Sequence, residues 1–285
     1  EFDAIITSVQ TGKADAGIAG ITVTPEREKN ISFTNTYTNV RQVIIVNTGA
    51  EVADSKQSIV DKFKSCFIDD DRYQYLLTGL GNTLLITFFA IILSVILGTL
   101  IAIVRATHER QGTLKWLDML CQVYLTIIRG TPTMVQLLII YYVVFASADV
   151  NKVFVAVVAF GLNSAAYIAE VIRSGIMSVD KGQMEAGRSL GLSYAKTMRL
   201  IILPQAFKNV LPAMGNELIT LLKETSISGY IGLVDLTKGS DIIRSITYEA
   251  MLPLGMVACI YLVIVFLLYT GVRKLEKHLR RGERR

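Results

Sequence analysis

Uncharged stretches of bilayer length alternate with short basic segments along most of this chain. Thr83–Val104 is 22 uncharged residues, about 33 Å at the helical rise and enough to cross a hydrocarbon core. Ala250–Val272 supplies a second such stretch of 23. Val153–Ala169 is apolar and runs on to Arg173. Trp116–Ile128 and Thr131–Ala148 are apolar pieces joined by Arg129-Gly130-Thr131-Pro132. Such a junction kinks one span or separates a short lead-in helix from it. Asn209–Leu222 is a further apolar stretch that holds Glu217 and ends at Lys223-Glu224. The pattern predicts a mostly α, polytopic membrane protein of about five transmembrane helices.

Charge placement then predicts sidedness, because lysine and arginine in short connections favour the cytoplasm. Arg105, Arg110 and Lys115 fall on one side; Arg173, Lys181, Arg188, Lys196, Arg199 and Lys208 reach the same side two spans later. The tail from Arg273 to Arg285 joins them. The opposite connections, Asp149–Lys152 and the stretch from Asp235 to Glu249, balance acids with bases. Five spans therefore put residues 1–80 outside and the tail, 273–285, in the cytoplasm.

Composition agrees with a membrane class: 52% hydrophobic, 19% charged and mean hydropathy +0.46, against about 25% charged in a soluble domain. Cys66, Cys121 and Cys259 are far apart, with no CxxC or zinc spacing, so no disulfide or metal site is expected. The first residues already read like the interior of a domain, so the chain is expected to be a fragment or a processed product.

The charged passage Glu185–Ala206 stands out between apolar runs. Asp180 is a good N-cap with Gln183 at N3, residues 181–190 suit a short helix, and Gly191 suits the left-handed residue that ends it. Ser193 can cap a second helix, which Pro204 or its followers are expected to disrupt. Leu190, Leu192 and Met198 are available for burial. Physics alone leaves open an amphipathic loop lying on the lipid surface.

The order Glu185-Ala186-Gly187, Gly191, Ile201, Leu203-Pro204 resembles the EAA motif of ABC-importer permeases. Arg129–Tyr142, Asn163–Gly187 and Leu221–Leu236 resemble the polar-amino-acid branch of that family, over about residues 75–280. Gly187 stands where a second alanine is usual. The resemblance implies the type I importer permease fold over residues 81–272, with a cytoplasmic coupling helix at about 180–204. It also implies that Glu185, Ala186, Gly187, Arg188, Gly191, Leu203 and Pro204 form the seat for a cytoplasmic ATPase subunit. ATP and Mg would be bound there, since no GxxxxGK[ST] occurs in this chain. Catalysis and cofactors in the chain itself are expected to be nil. A second permease copy or close relative, an extracellular amino-acid-binding protein or domain, and the lipid bilayer are the implied partners; nucleic acid is not among them.

Polar residues at membrane depth are the candidate substrate pathway. Lys223, Glu224, Thr225 and Ser226 follow an apolar run, and a cation beside an anion suits a zwitterion. Asn163 and Glu170, seven apart, share a helix face; packing against a partner span is their other reading. Gln136, in an apolar run, needs a partner. Arg129 is read as an anchor that bonds the carbonyls of an adjacent helix end or loop, with lining the pathway as its other reading.

Residues 1–50 differ in kind, expected as a partial α/β segment. The stretch Gly12–Tyr37 resembles the first lobe of clamshell amino-acid-binding proteins, which implies Gly20, Thr22 and Arg27 as ligand groups. The second lobe is missing, and fifty residues bury too little to stand alone. Residues 51–80 are expected to be a linker with a short amphipathic helix at 57–65. Two rival readings remain: an ion-coupled transporter would show inverted repeats, and a membrane-tethered sensor would carry a signalling domain after Val272, where 13 residues follow.

Overall fold

The computed structural model describes residues 58–147 and 150–280 (side chains to 278), with residues 5, 9, 11–17, 28–29 and 31–33. Gly20, Thr22 and Arg27, and the α/β reading of residues 1–50 as a whole, lie outside the described residues.

Helix α1 (Ile59–Phe63) is capped by Ser58, runs through a π-turn (Lys64–Ile68) and a 3₁₀ turn (Asp69–Asp71), and leads into α2 (Tyr73–Gln111). At 39 residues, α2 is about 58 Å long, so it overruns the bilayer core at its ends. Helices α3 (Lys115–Arg129) and α4 (Thr133–Ile139, extended by a π-turn to Val144) meet at the Arg129–Pro132 junction with a bend of 107°. Proline at 132 precedes α4, where its missing N–H costs nothing. Helix α5 (Lys152–Met177) is capped by Asn151 and is the most enclosed of the long apolar helices.

The chain then makes α6 (Lys181–Ser189), α7 (Tyr194–Thr197), a π-turn (Met198–Ile202), α8 (Leu203–Glu224), a 3₁₀ segment (Thr225–Ile231), α9 (Leu236–Thr247) and α10 (Met251–Arg280). No strand occurs among the described residues. Three helices, α2, α5 and α10, are long and apolar enough to cross a membrane, and four spans result if the bent α3–α4 pair is one. The stretch expected as the remaining span is α8, whose 22 residues reach about 33 Å. Lys208, Glu217, Lys223 and Glu224 keep it less apolar than the others.

Close packing of small residues brings α2, α5 and α8 together. An added Cβ at Gly98 would lie 2.8 Å from the Ile168 side chain, and one at Gly175 would lie 2.0 Å from that of Val210. Ile86, Ala90, Leu137, Val155, Phe160 and Leu221 form the main buried cluster. The outward faces of α2 and α10 carry exposed Phe88, Phe89, Leu262, Phe266 and Leu267. These suit hydrocarbon contact, since lipid tails are as apolar as leucine.

The α8–α9 connection is held by one carboxylate. Asp235 Oδ2 accepts from Ser228 Oγ at 2.9 Å and Gly229 N at 2.7 Å, while Oδ1 accepts from Thr237 N at 2.7 Å and Lys238 N at 2.9 Å. It thereby caps α9 and closes the turn before it. Gly79 on α2 lets this loop approach: a Cβ there would stand 2.4 Å from Asp235 O. Asn82 Nδ2 donates to Val234 O at 2.8 Å from the same helix.

On α9, hydrogen bonds from Lys238 and Arg244 hold the Asp241 carboxyl below its ordinary value against the opposing pull of burial. A depressed folded pKa means this stabilisation is complete above the unfolded carboxylate pKa and lost as pH falls through the folded one. Because the group is half exposed, Asp241→Asn should cost under about 1 kcal/mol at pH 7, an expectation that thermal unfolding at neutral and acidic pH can check.

Candidate functional site

The charged passage folds as two short helices meeting at a glycine. Asp180 Oδ1 accepts from Gly182 N at 2.7 Å to start α6, one residue earlier than the N3 position. At its far end, Gly191 adopts φ 81°. Its N–H donates to Arg188 O at 3.0 Å, and Leu192 N–H donates to Gly187 O at 3.1 Å. This pair of bonds is the Schellman arrangement, which satisfies the last carbonyls of a helix. Ser193 Oγ accepts from Lys196 N at 3.3 Å and starts α7.

One expectation fails here. Pro204 does not break the second helix: residues 194–224 stay helical. Leu203 N donates to Met198 O across a π-turn, and Pro204 falls at the start of α8. The wider turn takes up the proline ring, which needs no N–H there. Leu190, expected to be available for burial, is 82% exposed at the tip and so stays open to a partner. Met198 does pack against a cluster of Ala106, Ile176, Ile202 and Ala206.

Glu185, Ala186 and Arg188 are exposed on α6, whereas Gly187 is buried. Glu185 makes no hydrogen bond or ion pair among the described residues. Arg188 Nη1 donates to Leu192 O at 3.3 Å, which steadies the turn. A Cβ on Gly187 would meet Thr197 Cγ2 at 2.5 Å, so glycine lets α6 lie directly on α7. Gly187→Ala should therefore destabilise by about 1–3 kcal/mol. Thr197→Ser, which removes that methyl but keeps the hydroxyl bonded to Ser193 O, should recover most of the loss in a melting measurement of the double variant.

The candidate pathway residues separate into three environments. Gln136 and Asn163 come together: Asn163 Nδ2 donates to Gln136 Oε1 at 2.9 Å. Gln136 Nε2 donates to Ile128 O at 2.7 Å, Thr131 O at 3.0 Å and Thr131 Oγ1 at 2.7 Å. Gln136 thus pins the bent α3–α4 junction to α5, and that is the partner its burial demands. Asn163→Leu would leave Gln136 Oε1 buried and unpaired, and should cost about 1–3 kcal/mol on melting.

Glu170 stands elsewhere, between Arg105 of α2 and Arg173, the latter at 3.0 Å. Arg105 also approaches Asp118 at 3.5 Å, and Arg173 pairs with Glu109 at 2.9 Å. Glu170, Arg105, Gln122, Thr126 and Arg129 line a cavity of about 500 Å³. Arg129 lies over the Tyr167 ring at 5.7 Å.

Thr225 Oγ1 is committed to Leu222 O at 2.7 Å, Lys223 is exposed, and Glu224 and Ser226 are half-buried. Lys223 continues an exposed stripe with Asn216 and Thr220 on α8, beside half-buried Glu217, which accepts from Ser164 Oγ at 3.2 Å. A spacing of three and four along residues 216–223 was the signal for this stripe. An exposed polar stripe at bilayer depth is costly against lipid.

Residues 94–281 match the family of binding-protein-dependent transport system inner membrane components. The chain belongs to this permease family.

Among its similar relatives, the arginine transport system permease protein ArtQ of Bacillus subtilis is 38% identical over 211 residues, 73% of this chain and 94% of the relative. A candidate glutamine transport system permease protein, GlnP, of Rickettsia bellii is 38% identical over 207 residues, 72% of this chain and 93% of the relative. A crystal structure of an amino acid ABC transporter with histidines superposes with TM-score 0.67 at 39% identity, covering 74% of this chain and 98% of that one. The inward-facing MetNI methionine transporter, at 20% identity and TM-score 0.65, shares the fold. The permease chain is thus a multi-pass membrane protein with the type I importer architecture, the permease subunit of an amino acid importer.

Proposed function

We propose that this permease carries polar amino acids inward, driven by separate cytoplasmic ATPase subunits that seat on α6 and its turn. The observation that carries the reading is the jointed segment from Lys181 to Thr197. An unpartnered Glu185 and an 82% exposed Leu190 project from it, yet it continues without a break into α8. A push on α6 is thereby passed to the helix bearing Asn216, Thr220, Lys223 and Glu224. ATP and Mg belong to the ATPase, the source of the free energy, and this chain converts that energy into alternating access.

The polar stripe of α8 favours a second permease copy or close relative facing it, with the pathway between. Lys223 and Glu224 offer a cation and an anion to the two ends of a zwitterion, while Gln136, Asn163 and Glu170 hold the helices that frame it. Thr225 ends α8 and Ser226 follows at its mouth. The basic connections favour a cytoplasmic tail and an outer N-terminus, in the plasma membrane. Residues 1–50 are read, on their sequence alone, as part of an amino-acid-binding lobe. Its partner would be an extracellular binding protein or domain that delivers the substrate.

The relatives named for arginine and glutamine support the polar amino-acid class, and glutamine or a similar uncharged side chain suits a net-neutral Lys–Glu pair. Uptake of a panel of labelled amino acids by proteoliposomes holding the permease and its ATPase tests this. ATP-dependent accumulation of glutamine is the expected result; accumulation without ATP, or of no amino acid, would overturn it.

A further inference from the structure

Between α2, the end of α5 and the α7 turn lies a second cavity of about 340 Å³, lined by Ile103, Ala106, Ile176, Met198 and Leu203, with Tyr194, Ala195 and Arg199 among its walls. Its lining is apolar and includes no carboxylate. Ile103 and Leu203 are both substantially exposed, and Leu200 and Phe207 continue that open apolar surface.

Two polar groups in the wall lack partners. The Tyr194 hydroxyl is buried with no hydrogen bond, an expensive state for a donor. Arg199 is exposed and makes no ion pair among the described residues. Lys196, also exposed, stands one turn before it. Met198 and Arg199 belong to the π-turn, and such turns recur at functional positions.

We propose that this groove holds one acyl chain of an anionic glycerophospholipid, with its phosphate on Arg199 and Lys196. Chemistry and position select this occupant. An apolar slot open to the side takes a hydrocarbon chain, and a wall whose one charged residue is Arg199, with Lys196 one turn away, takes a phosphate. The Tyr194 O–H is left to donate to a phosphate or ester oxygen at the boundary between them. Bound there, the lipid touches α2 and the joint that leads into α8, so it fixes the angle through which α6 acts. The assignment of the leaflet as cytoplasmic rests on the function proposed above; lipid occupancy itself does not.

Native mass spectrometry of the intact permease–ATPase complex, released from membranes containing phosphatidylglycerol, reads occupancy without any transport. Uptake in vesicles of phosphatidylcholine alone or mixed with phosphatidylglycerol reads the consequence. Retained phosphatidylglycerol and faster uptake in the mixed vesicles are expected for the unaltered complex. Arg199→Gln should weaken retention about fivefold, the effect of one basic group near an anionic surface. Tyr194→Phe, which changes no volume in the wall, should weaken it less, and Ala195→Trp should abolish it by filling the slot.

Equal retention in all four proteins would overturn the proposal, as would an equal response to phosphatidylglycerol in all of them. Loss of the ATPase from Arg199→Gln with lipid retention unchanged would assign the groove to the protein partner instead. Retention that follows these variants while no amino acid is transported would keep the lipid site and overturn only the transport reading.

Discussion

Gly191→Val is expected to leave the permease in the membrane with its ATPase attached and to lower ATP-driven uptake by about tenfold or more. The native φ of 81° lies where a β-branched residue is a genuine outlier, at a cost on the order of 1–3 kcal/mol. A difference of about 1.4 kcal/mol already shifts a conformational ratio tenfold. The variant escapes that strain by opening the turn, which breaks the bonds from Gly191 N to Arg188 O and from Leu192 N to Gly187 O. The angle between α6 and α7 then ceases to be set, and motion of α6 no longer moves α8. Gly191→Asn should fall between wild type and valine, because asparagine tolerates the left-handed region. Uptake and ATP hydrolysis measured together in proteoliposomes check this. Full uptake by the valine variant would mean the joint does not transmit the stroke.

Asp235→Ala should be the most destabilising single change in the α8–α9 connection, by about 3 kcal/mol, combining a lost helix cap with buried donors left unpaired. Four hydrogen bonds converge on this carboxylate, and it is fully buried against α2. Asp235→Asn should cost less, since its carbonyl can still cap α9, though its amide would confront the donors of Ser228 and Gly229. Burial pushes the Asp235 carboxyl up from its ordinary value, against the pull of bonds from Lys238, Ser228, Gly229 and Thr237. A folded pKa above the unfolded one means that acidification through that window adds stability. Both variants should lose this slope. Thermal midpoints of the purified complex at several pH values read the ranking and the slope; an alanine variant as stable as wild type would mean the loop is held by packing alone.

How much was readable in advance depended on the range of the interaction. The long apolar runs announced α2, α5 and α10, because bilayer length and uncharged composition are local properties. Asp180, Gly191 and Ser193 marked the joints of α6 and α7, since capping and a positive φ are local as well. Pro204 misled for the same reason: proline was read from its own chemistry, while the π-turn that accommodates it depends on how residues 198–202 pack against α2 and α5. Glu170 and Asn163 looked like one polar face at a spacing of seven, yet they serve different neighbours, one a pair of arginines and the other Gln136.

Local chemistry along the chain therefore determined that this protein has membrane-length helices, a charged jointed segment between them, and polar residues set within or beside apolar runs. Which polar residues are locked to one another and which stay exposed was decided only when α2, α5 and α8 packed. That outcome depends on the partners each side chain meets from distant segments, and on small residues such as Gly79 and Gly187 that let backbones approach. A one-dimensional pattern carries no record of those distances.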